Sequence, residues 1–418
     1  MNHRSLLDWI GRHLWPVDER FFAAEGPLAA LVGDATLVSL GEGLHGAAEP
    51  LEFRNRLFRW LVEHRRFGAI ALESGMSSAF DADDFVQGGP GDAAEVAARS
   101  ITSGLGRFPQ QAALLAWMRD HNARAGAGHA VGFHGMHTSA FAPEPGSALQ
   151  RALDFLDGVD APAAAALRER LRPHWDHLRI DRQAAAPAHY ALLAPAARDA
   201  VTAAIADLVL RLETHEEVYL ARRPAPECRR AWLAAVGARQ SDLYLRQFPP
   251  GWSAATGVAS HMPSIAASDR GKADNVDLLL ASLGPAGRML VFSHLGHAAS
   301  SPVSITVGTE CLALPPLMGS YLRRRHGSRL LTIGHLFAAD RCHAGRAPAG
   351  PDTLEGALAS LGVPAFVVDL RRAPAPVLES LRTPHDLYGT LPVHTLTLAG
   401  GVDALLFTQA ATPASGMA

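Results

Sequence analysis

The chain has 418 residues, of which 48% are hydrophobic and 19% are charged, and its formal net charge is −3. This composition excludes an intrinsically disordered chain, and the lack of a basic excess excludes the charge pattern typical of proteins that bind nucleic acids or anionic membranes. No segment has the roughly 18 apolar residues that a membrane-spanning helix needs. We therefore expect a globular protein whose partner is a small molecule, with no nucleic acid and no membrane.

The three cysteines, Cys228, Cys311 and Cys342, lie far apart and form no CxxC pair. Neither a disulfide framework nor a thiolate zinc site is encoded, which indicates a reducing compartment. The N-terminal segment has apolar residues at helical spacing and lacks the continuous apolar core of a signal peptide. We therefore expect a cytoplasmic protein.

Short β-rich runs alternate with longer helical segments from the start of the chain to its end. This alternation predicts an α/β fold with a mostly parallel central sheet flanked by helices, and we assign residues 1–418 to a single domain. The last run is expected to pair antiparallel at an edge of the sheet. The predicted strands, in chain order, are ATLVSL, FGAIALE, HAVGFHG, RMLVFSH, SITVG, LLTIGHLF, AFVVDL and VDALLFTQ.

Residues 143–250 interrupt this alternation, because they are rich in Ala, Leu, Arg and Glu at helical spacing and contain no convincing strand. We interpret them as a helical insertion above the carboxyl ends of the strands. It forms either a lid or substrate-binding wall, or a structural cap on the core. Residues 411–418, at the end of the chain, are expected to be disordered.

The segment GEGLHG follows the first strong strand and carries Glu42 and His45. A histidine with a carboxylate nearby is the usual arrangement of a general base, because the carboxylate fixes the tautomer and stabilises the imidazolium. Arg54 lies on the following helix and can reach back toward this loop. Glu73 ends the next strand, where its carboxylate can orient His45 or an attacking water.

Two further histidine pairs also follow strands: His134 with His137, and His294 with His297. Because parallel strands end at one edge of a sheet, both pairs are expected near His45, with His137, His134 and His297 in substrate-binding or secondary roles. A histidine pair fits an acid/base pair, a metal site or a structural loop. For a metal, the ligand set would be His45, His137 and His294; otherwise no cofactor is expected.

Several ordered motifs resemble those of the erythromycin esterase family. They run from about residue 36 to residue 413 and comprise GEGLHG, ALES, DADDFVQGG, RFP, AVGFHGMHTS, DRGKADNVDLLL, FSHLGHAAS, PLMGSYLRRRHG and VDALLFTQAATPA. The resemblance implies one α/β domain with a helical insertion. It also implies hydrolysis of a macrolide lactone without a covalent intermediate.

By motif match, the resemblance places His45 on the family's general base, which activates water. It places Glu42 on the carboxylate three residues earlier, Arg54 on the helix arginine and Glu73 on the strand-end glutamate; His294 and His297 fall on the later histidine motif. Arg54 or a protonated His294 would then stabilise the oxyanion. Departures from the family pattern fall at the pocket, at Leu44, His137, Leu295, Gly296, Gln110 and Gln111.

The leading hypothesis is therefore a hydrolase that opens an ester or lactone bond of a small natural product. One alternative is a natural-product biosynthetic enzyme that uses the same His/Glu pocket for an elimination, a cyclisation or an acyl transfer. A less polar pocket favours this alternative, because such a pocket can exclude water. A second alternative is a resistance protein that sequesters a ligand without turnover.

Overall fold

The computed structural model describes residues 4–126, 129–137, 145–178, 186–248, 262–390 and 393–414. The strands are β1 (Trp15–Pro16), β2 (Leu37–Glu42), β3 (Ala69–Gly75), β4 (Gly132–His137), β5 (Met289–His294), β6 (Val303–Val307), β7 (Glu310–Ala313), β8 (Leu330–Phe337), β9 (Ala365–Asp369), β10 (His385–Asp386), β11 (Val393–Leu396) and β12 (Ala404–Thr408).

The helices flank these strands. They are α1 (Arg4–His13), α2 (Pro27–Val32), α3 (Ala48–Arg65), α4 (Phe80–Val86), α5 (Ala93–Ser100), α6 (Pro109–Arg124), α7 (Pro145–Val159), α8 (Ala161–Leu171), α9 (Trp175–Leu178), α10 (Ala186–Ala191), α11 (Pro195–Thr214), α12 (Glu216–Leu220), α13 (Ala225–Arg246), α14 (Met262–Ser282), α15 (Leu295–Ala298), α16 (Met318–His326), α17 (Leu354–Ala359) and α18 (Ala375–Arg382). No helix of the described segments combines the length and the apolarity that crossing a bilayer requires.

Eight strands form the central sheet, in the order β1-β9-β12-β8-β2-β5-β3-β4. Six of them, from β12 to β4, run parallel, whereas β9 and β1 are antiparallel additions at one edge. The predicted mostly parallel α/β sheet is confirmed. The prediction that the last strand lies at an edge is wrong, because β12 is covered on both sides by β8 and β9.

The central strands are buried on both faces, because alternate residues enter two different cores. In β3, Ala69 and Ala71 join the core formed with α7, α11, α13 and α14, whereas Ile70 and Leu72 join the core formed with α3, α5 and α6. This is the period-2 alternation of a strand packed between two helical layers. It explains why these strands appear as nearly continuous apolar runs in the sequence.

Every described element between residues 145 and 246 is helical. These helices share one core with the sheet, since Leu149 and Leu208 belong to the same cluster as Val291 of β5. The segment therefore forms part of the main core. Its assignment as a separate insertion stays a prediction.

The structure corrects two predictions about the C-terminal part of the chain. The SITVG strand, β6, lies in a second, antiparallel sheet of order β10-β11-β6-β7. Residues 411–414 are ordered, because the backbone N–H and hydroxyl of Thr412 donate to the Glu49 carboxylate at 2.9 and 2.6 Å, and Ala411 and Ala414 are buried. Residues 415–418 lie outside the described residues.

Candidate active site

A cavity of about 620 Å³ opens at the carboxyl ends of β2, β3 and β5. This is the crevice in which open α/β sheets bind their ligands. The residues that line the cavity are His45, Glu73, Ser103, Leu105, His137, Tyr244, Ile265, Ser268, Asp269, Lys272, His294, His297 and His394. A second cavity, of about 500 Å³, lies among α7, α11, α12 and α13, and no histidine lines it.

The GEGLHG turn places Glu42 and His45 at this edge of the sheet. Gly46 has a φ of +78°, and a Cβ on Gly43 would lie 2.7 Å from the His335 carbonyl oxygen, so both positions require glycine. His45 Nδ1 lies 2.7 Å from Glu42 Oε1. The predicted pairing of histidine with carboxylate is therefore present, with Glu42 buried beneath a His45 side chain that is 45% exposed.

Opposing effects act on the protonation of His45. Burial against the cavity wall lowers its pKa, but the hydrogen bond and negative charge of Glu42, together with the charge of Glu73, outweigh that effect and raise the pKa to about 9. The imidazolium is therefore the resting form of His45 at neutral pH. The base form becomes abundant only in alkaline solution.

His294 is the register partner of Glu42 in the parallel pair β2–β5, which brings its ring to 5.1 Å from the ring of His45. Its Nδ1 accepts a hydrogen bond of 3.1 Å from the Gly296 backbone N–H. Burial, and then the positive charge of His45, hold the pKa of His294 well below its usual value. The ring is thus neutral, with its proton on Nε2, which makes it a hydrogen-bond donor. The prediction that a protonated His294 stabilises the oxyanion is therefore wrong.

Glu73 lies in an irregularity of β3, because the register with β4 shifts between Leu72 and Gly75. Such bulges re-aim side chains beside active sites. Glu73 Oε2 accepts the His294 backbone N–H at 2.9 Å, and Oε1 lies 3.4 Å from Lys272 Nζ. Burial would raise the pKa of Glu73, but the charges of His297 and Lys272 dominate and hold it well below its usual value.

His297 connects Glu73 to a second buried carboxylate. Its Nδ1 lies 2.8 Å from Asp269 Oδ1, and its Nε2 lies 3.3 Å from Glu73 Oε1. Lys272 Nζ lies between the same two carboxylates, 3.6 Å from Asp269 Oδ2. Burial opposes ionisation of Asp269, but His297 and Lys272 lower its pKa to about 2. The floor of the cavity is therefore an ionised network of two carboxylates bridged by Lys272 and His297.

Two predicted site residues lie away from the cavity. Arg54 is fully buried and does not line the cavity; its guanidinium donates to Asn55 Oδ1 and stacks over Phe292. Burial lowers the pKa of Arg54 to about 10, and the charge of Glu42 opposes this effect. His134 points to the opposite face of β4 from His137, because residues three apart on a strand alternate; its electrostatic neighbours are Asp83 and Arg230.

His137 does line the cavity, as predicted, with its Nδ1 3.9 Å from Glu73 Oε1. Burial, and then the charge of Lys272, lower its pKa to about 3, so the ring is neutral. No three His, Cys, Asp or Glu side chains of the described segments are grouped as metal ligands would be. The alternative set of His45, His137 and His294 is thus not assembled here, and metal independence stays a prediction.

The lining residues that the sequence interpretation missed include Ser268, Asp269, Lys272 and His394. The first three lie on α14, whose preceding described element is the helix α13, and His394 comes from β11 of the second sheet. A signal for Lys272 was present, because it is the only lysine of the chain and is spaced by three from Asp269. His394 had no comparable signal, although its ring lies 5.0 Å from that of His294.

Three solved structures have the same fold. A protein from Bacillus cereus matches with a TM-score of 0.79 at 17% identity over the whole of both chains. A succinoglycan biosynthesis protein matches with a TM-score of 0.77 at 17% identity, over 99% of this chain and 98% of the other. The erythromycin esterase EreC, a mutant in its open conformation, matches with a TM-score of 0.69 at 20% identity, over 92% and 93%.

The family comparison agrees with the sequence motifs and goes beyond the fold. A model of the erythromycin esterase family matches residues 62–410, which include Glu73, Lys272, His294 and His297. The match begins after the GEGLHG turn, so the roles of Glu42 and His45 depend on the geometry of the cavity. The chain belongs to the erythromycin esterase family.

Proposed function

We propose that this protein hydrolyses an ester or lactone bond of a small natural product by using His45 to activate water. The observation that carries the proposal is the Glu42–His45 pair, joined at 2.7 Å, at a cavity whose neighbouring wall presents the neutral ring of His294. A base and a donor for the developing oxyanion are the two groups that direct attack of water on an ester needs.

In the proposed reaction, neutral His45 removes a proton from water, and the hydroxide adds to the carbonyl carbon. The oxyanion accepts a hydrogen bond from His294 Nε2–H. When the tetrahedral intermediate collapses, the C–O bond to the alcohol breaks, and the leaving alkoxide takes the proton from the His45 imidazolium. The products are one acid and one alcohol, which are joined in one molecule if the substrate is a lactone.

A serine nucleophile is not part of this proposal. Ser103 and Ser268 line the cavity, but the contacts described for His45 join its Nδ1 to Glu42 and include no hydrogen bond to either serine hydroxyl. A nucleophilic serine needs a base within about 2.6–3.2 Å. The direct attack of water therefore fits the described contacts better.

One observation favours a second candidate function. Because the pKa of His45 is about 9, the resting enzyme at neutral pH holds a proton donor, which suits an elimination or a cyclisation. The dependence of activity on pH separates the two. If His45 acts as a base, activity rises toward pH 9; if it acts as an acid, activity falls above that pH.

The proposal is tested with purified wild type, His45→Ala and His134→Ala on erythromycin and a panel of lactones and simple esters. His134→Ala is the matched control, since this histidine lies outside the cavity. Loss of several orders of magnitude in kcat/KM in His45→Ala alone supports the proposal. Retained hydrolysis in His45→Ala, or binding without any product in wild type, overturns it.

A further inference from the structure

Ser268 is a buried hydroxyl that the proposed reaction does not use. Its residue is 4% exposed and lines the cavity, and no hydrogen-bond partner for its Oγ exists among the described residues. Buried side-chain polar atoms nearly always have a partner, and each exception requires an explanation. A group that binds in the cavity is the explanation that this position suggests.

The neighbours of Ser268 on α14 give the surface its chemistry. Ile265, Ser268 and Lys272 are spaced by three and four, so they lie on one face of the helix, and all three line the cavity. Lys272 Nζ is 3.4 Å from Glu73 and 3.6 Å from Asp269, longer than the roughly 2.7–2.9 Å of a strong charge-assisted hydrogen bond. Its ammonium therefore retains donor capacity toward a ligand.

The charges around this surface indicate which group it takes. The positive charge of Lys272 is already shared between the two ionised carboxylates, Glu73 and Asp269, so an additional anion would pay the cost of losing its hydration for little net attraction to Lys272. An uncharged oxygen, such as a carbonyl, hydroxyl or ether, accepts hydrogen bonds without that cost. Leu105, Tyr244 and Ile265 provide apolar lining for the hydrocarbon that carries it.

We propose that Ser268 is a substrate-binding residue that donates its hydroxyl to an uncharged oxygen in the body of the substrate, with Lys272 one helical turn away. The inference rests on the proposed function, because it assumes that the ligand of this cavity is an ester or lactone. The inference narrows the substrate class to uncharged esters that carry a further oxygen outside the ester group. Hydrocarbon esters of the same size fill the cavity but leave Ser268 without a partner.

The test compares p-nitrophenyl octanoate with analogues in which an ether oxygen replaces each methylene beyond the α-carbon in turn. The enzymes are wild type, Ser268→Ala and Ser39→Ala. Ser39 is the matched control, because its Oγ is also buried without a partner among the described residues and does not line the cavity. Both variants remove an unpaired hydroxyl, so neither is expected to lower the melting temperature.

In wild type, one or more oxygen positions should raise kcat/KM relative to the octanoate by roughly three- to tenfold, the worth of one neutral hydrogen bond. Ser268→Ala should lose that gain and still hydrolyse the octanoate, whereas Ser39→Ala should keep it. The inference is overturned if no position gives a gain, or if the gain persists in Ser268→Ala.

Calorimetric titration of the same esters into His45→Ala, with and without Ser268→Ala, separates this inference from the proposed function. An oxygen-dependent affinity that requires Ser268, together with a wild type that turns over no ester, supports the inference and rejects the hydrolase. Hydrolysis that depends on His45 but shows no effect of oxygen position supports the hydrolase and rejects the inference. If no ester binds, the inference is rejected.

Discussion

Replacing Glu42 with glutamine should move the pH dependence of the enzyme without abolishing its activity. The carboxylate lies 2.7 Å from His45 Nδ1 and is the main cause that raises the pKa of His45 to about 9. Glutamine can still accept the same hydrogen bond but carries no charge. Because burial continues to act, the pKa of His45 should fall from about 9 to its ordinary 6.5 or below.

The size of the effect differs between neutral and alkaline pH. In wild type, about one His45 in a hundred is neutral at pH 7, whereas most are neutral in Glu42→Gln. The variant base is weaker, which costs roughly ten- to twentyfold if the Brønsted slope is near one half. At pH 7 the gain in neutral His45 outweighs this cost, so the variant should be roughly four- to eightfold faster than wild type there and roughly ten- to twentyfold slower above pH 9.

The assay is kcat/KM from pH 5 to pH 10 on an ester that wild type hydrolyses, with Glu63→Gln, on the exposed side of α3, as the matched control. Wild type and control should share a midpoint near 9, and Glu42→Gln should have its midpoint at or below 6.5. An unchanged midpoint in Glu42→Gln would refute the electrostatic argument. A hundredfold loss at pH 7 would show that Glu42 acts beyond setting the pKa.

Other expectations follow from the same geometry. His294→Asn keeps a side chain that can cap α15 but displaces the Nε2–H donor. The kcat of this variant should therefore fall by roughly 100- to 1,000-fold with KM little changed. A loss in kcat below tenfold would exclude His294 as the oxyanion donor. Lys272→Met leaves two buried carboxylates without their ammonium partner. Urea denaturation of this variant should show a loss of about 3–5 kcal/mol in the free energy of unfolding, and Lys272→Arg should lose less. Equal stability of Lys272→Met and wild type would contradict the role of Lys272 in holding the two carboxylates. Since the folded-state pKa of His45 is raised above 6.5, its contribution to stability is complete below pH 6.5 and is lost as pH rises through about 9. The melting temperature of wild type should therefore fall over that interval relative to that of Glu42→Gln. If the melting temperatures of the two proteins depend on pH in the same way, the raised pKa of His45 is contradicted.

The sequence predicted those parts of the site that follow from strand ends. His45, Glu73, His294 and His297 all follow or end parallel strands, so the sheet brings them to one cavity, and Glu42 lies buried beneath His45 at the same edge. The positions of these strand ends follow from local apolar runs, which can be identified in the sequence.

The missed parts reach the cavity through tertiary packing, which the positions of the strand ends do not indicate. Ser268, Asp269 and Lys272 reach the cavity because α14 packs beside β4, and His394 reaches it through a second sheet whose position depends on long-range pairing. Arg54 was included in the predicted site but does not line the cavity. The sequence places it on the helix after the GEGLHG turn, and in the structure its side chain is fully buried on the core side of α3.

The fold was predicted at the level of class and less well at its edges. The last strand, β12, was expected at an edge, yet β9 pairs with it antiparallel and lies between it and the edge strand β1. The tail was expected to be disordered from its composition, but Thr412 finds a carboxylate on α3. Chain order and composition do not predict which distant segment a strand pairs with or a tail residue contacts.

The central claim is that water, activated by His45, cleaves an ester. It is tested most directly by mass spectrometry of wild type and His45→Ala incubated with erythromycin and the ester panel in oxygen-18 water. The proposed reaction predicts one labelled oxygen in the acid product of wild type and no product from His45→Ala. Products that lack the label, or that have lost water, would contradict hydrolysis and favour an elimination or a cyclisation in the same cavity.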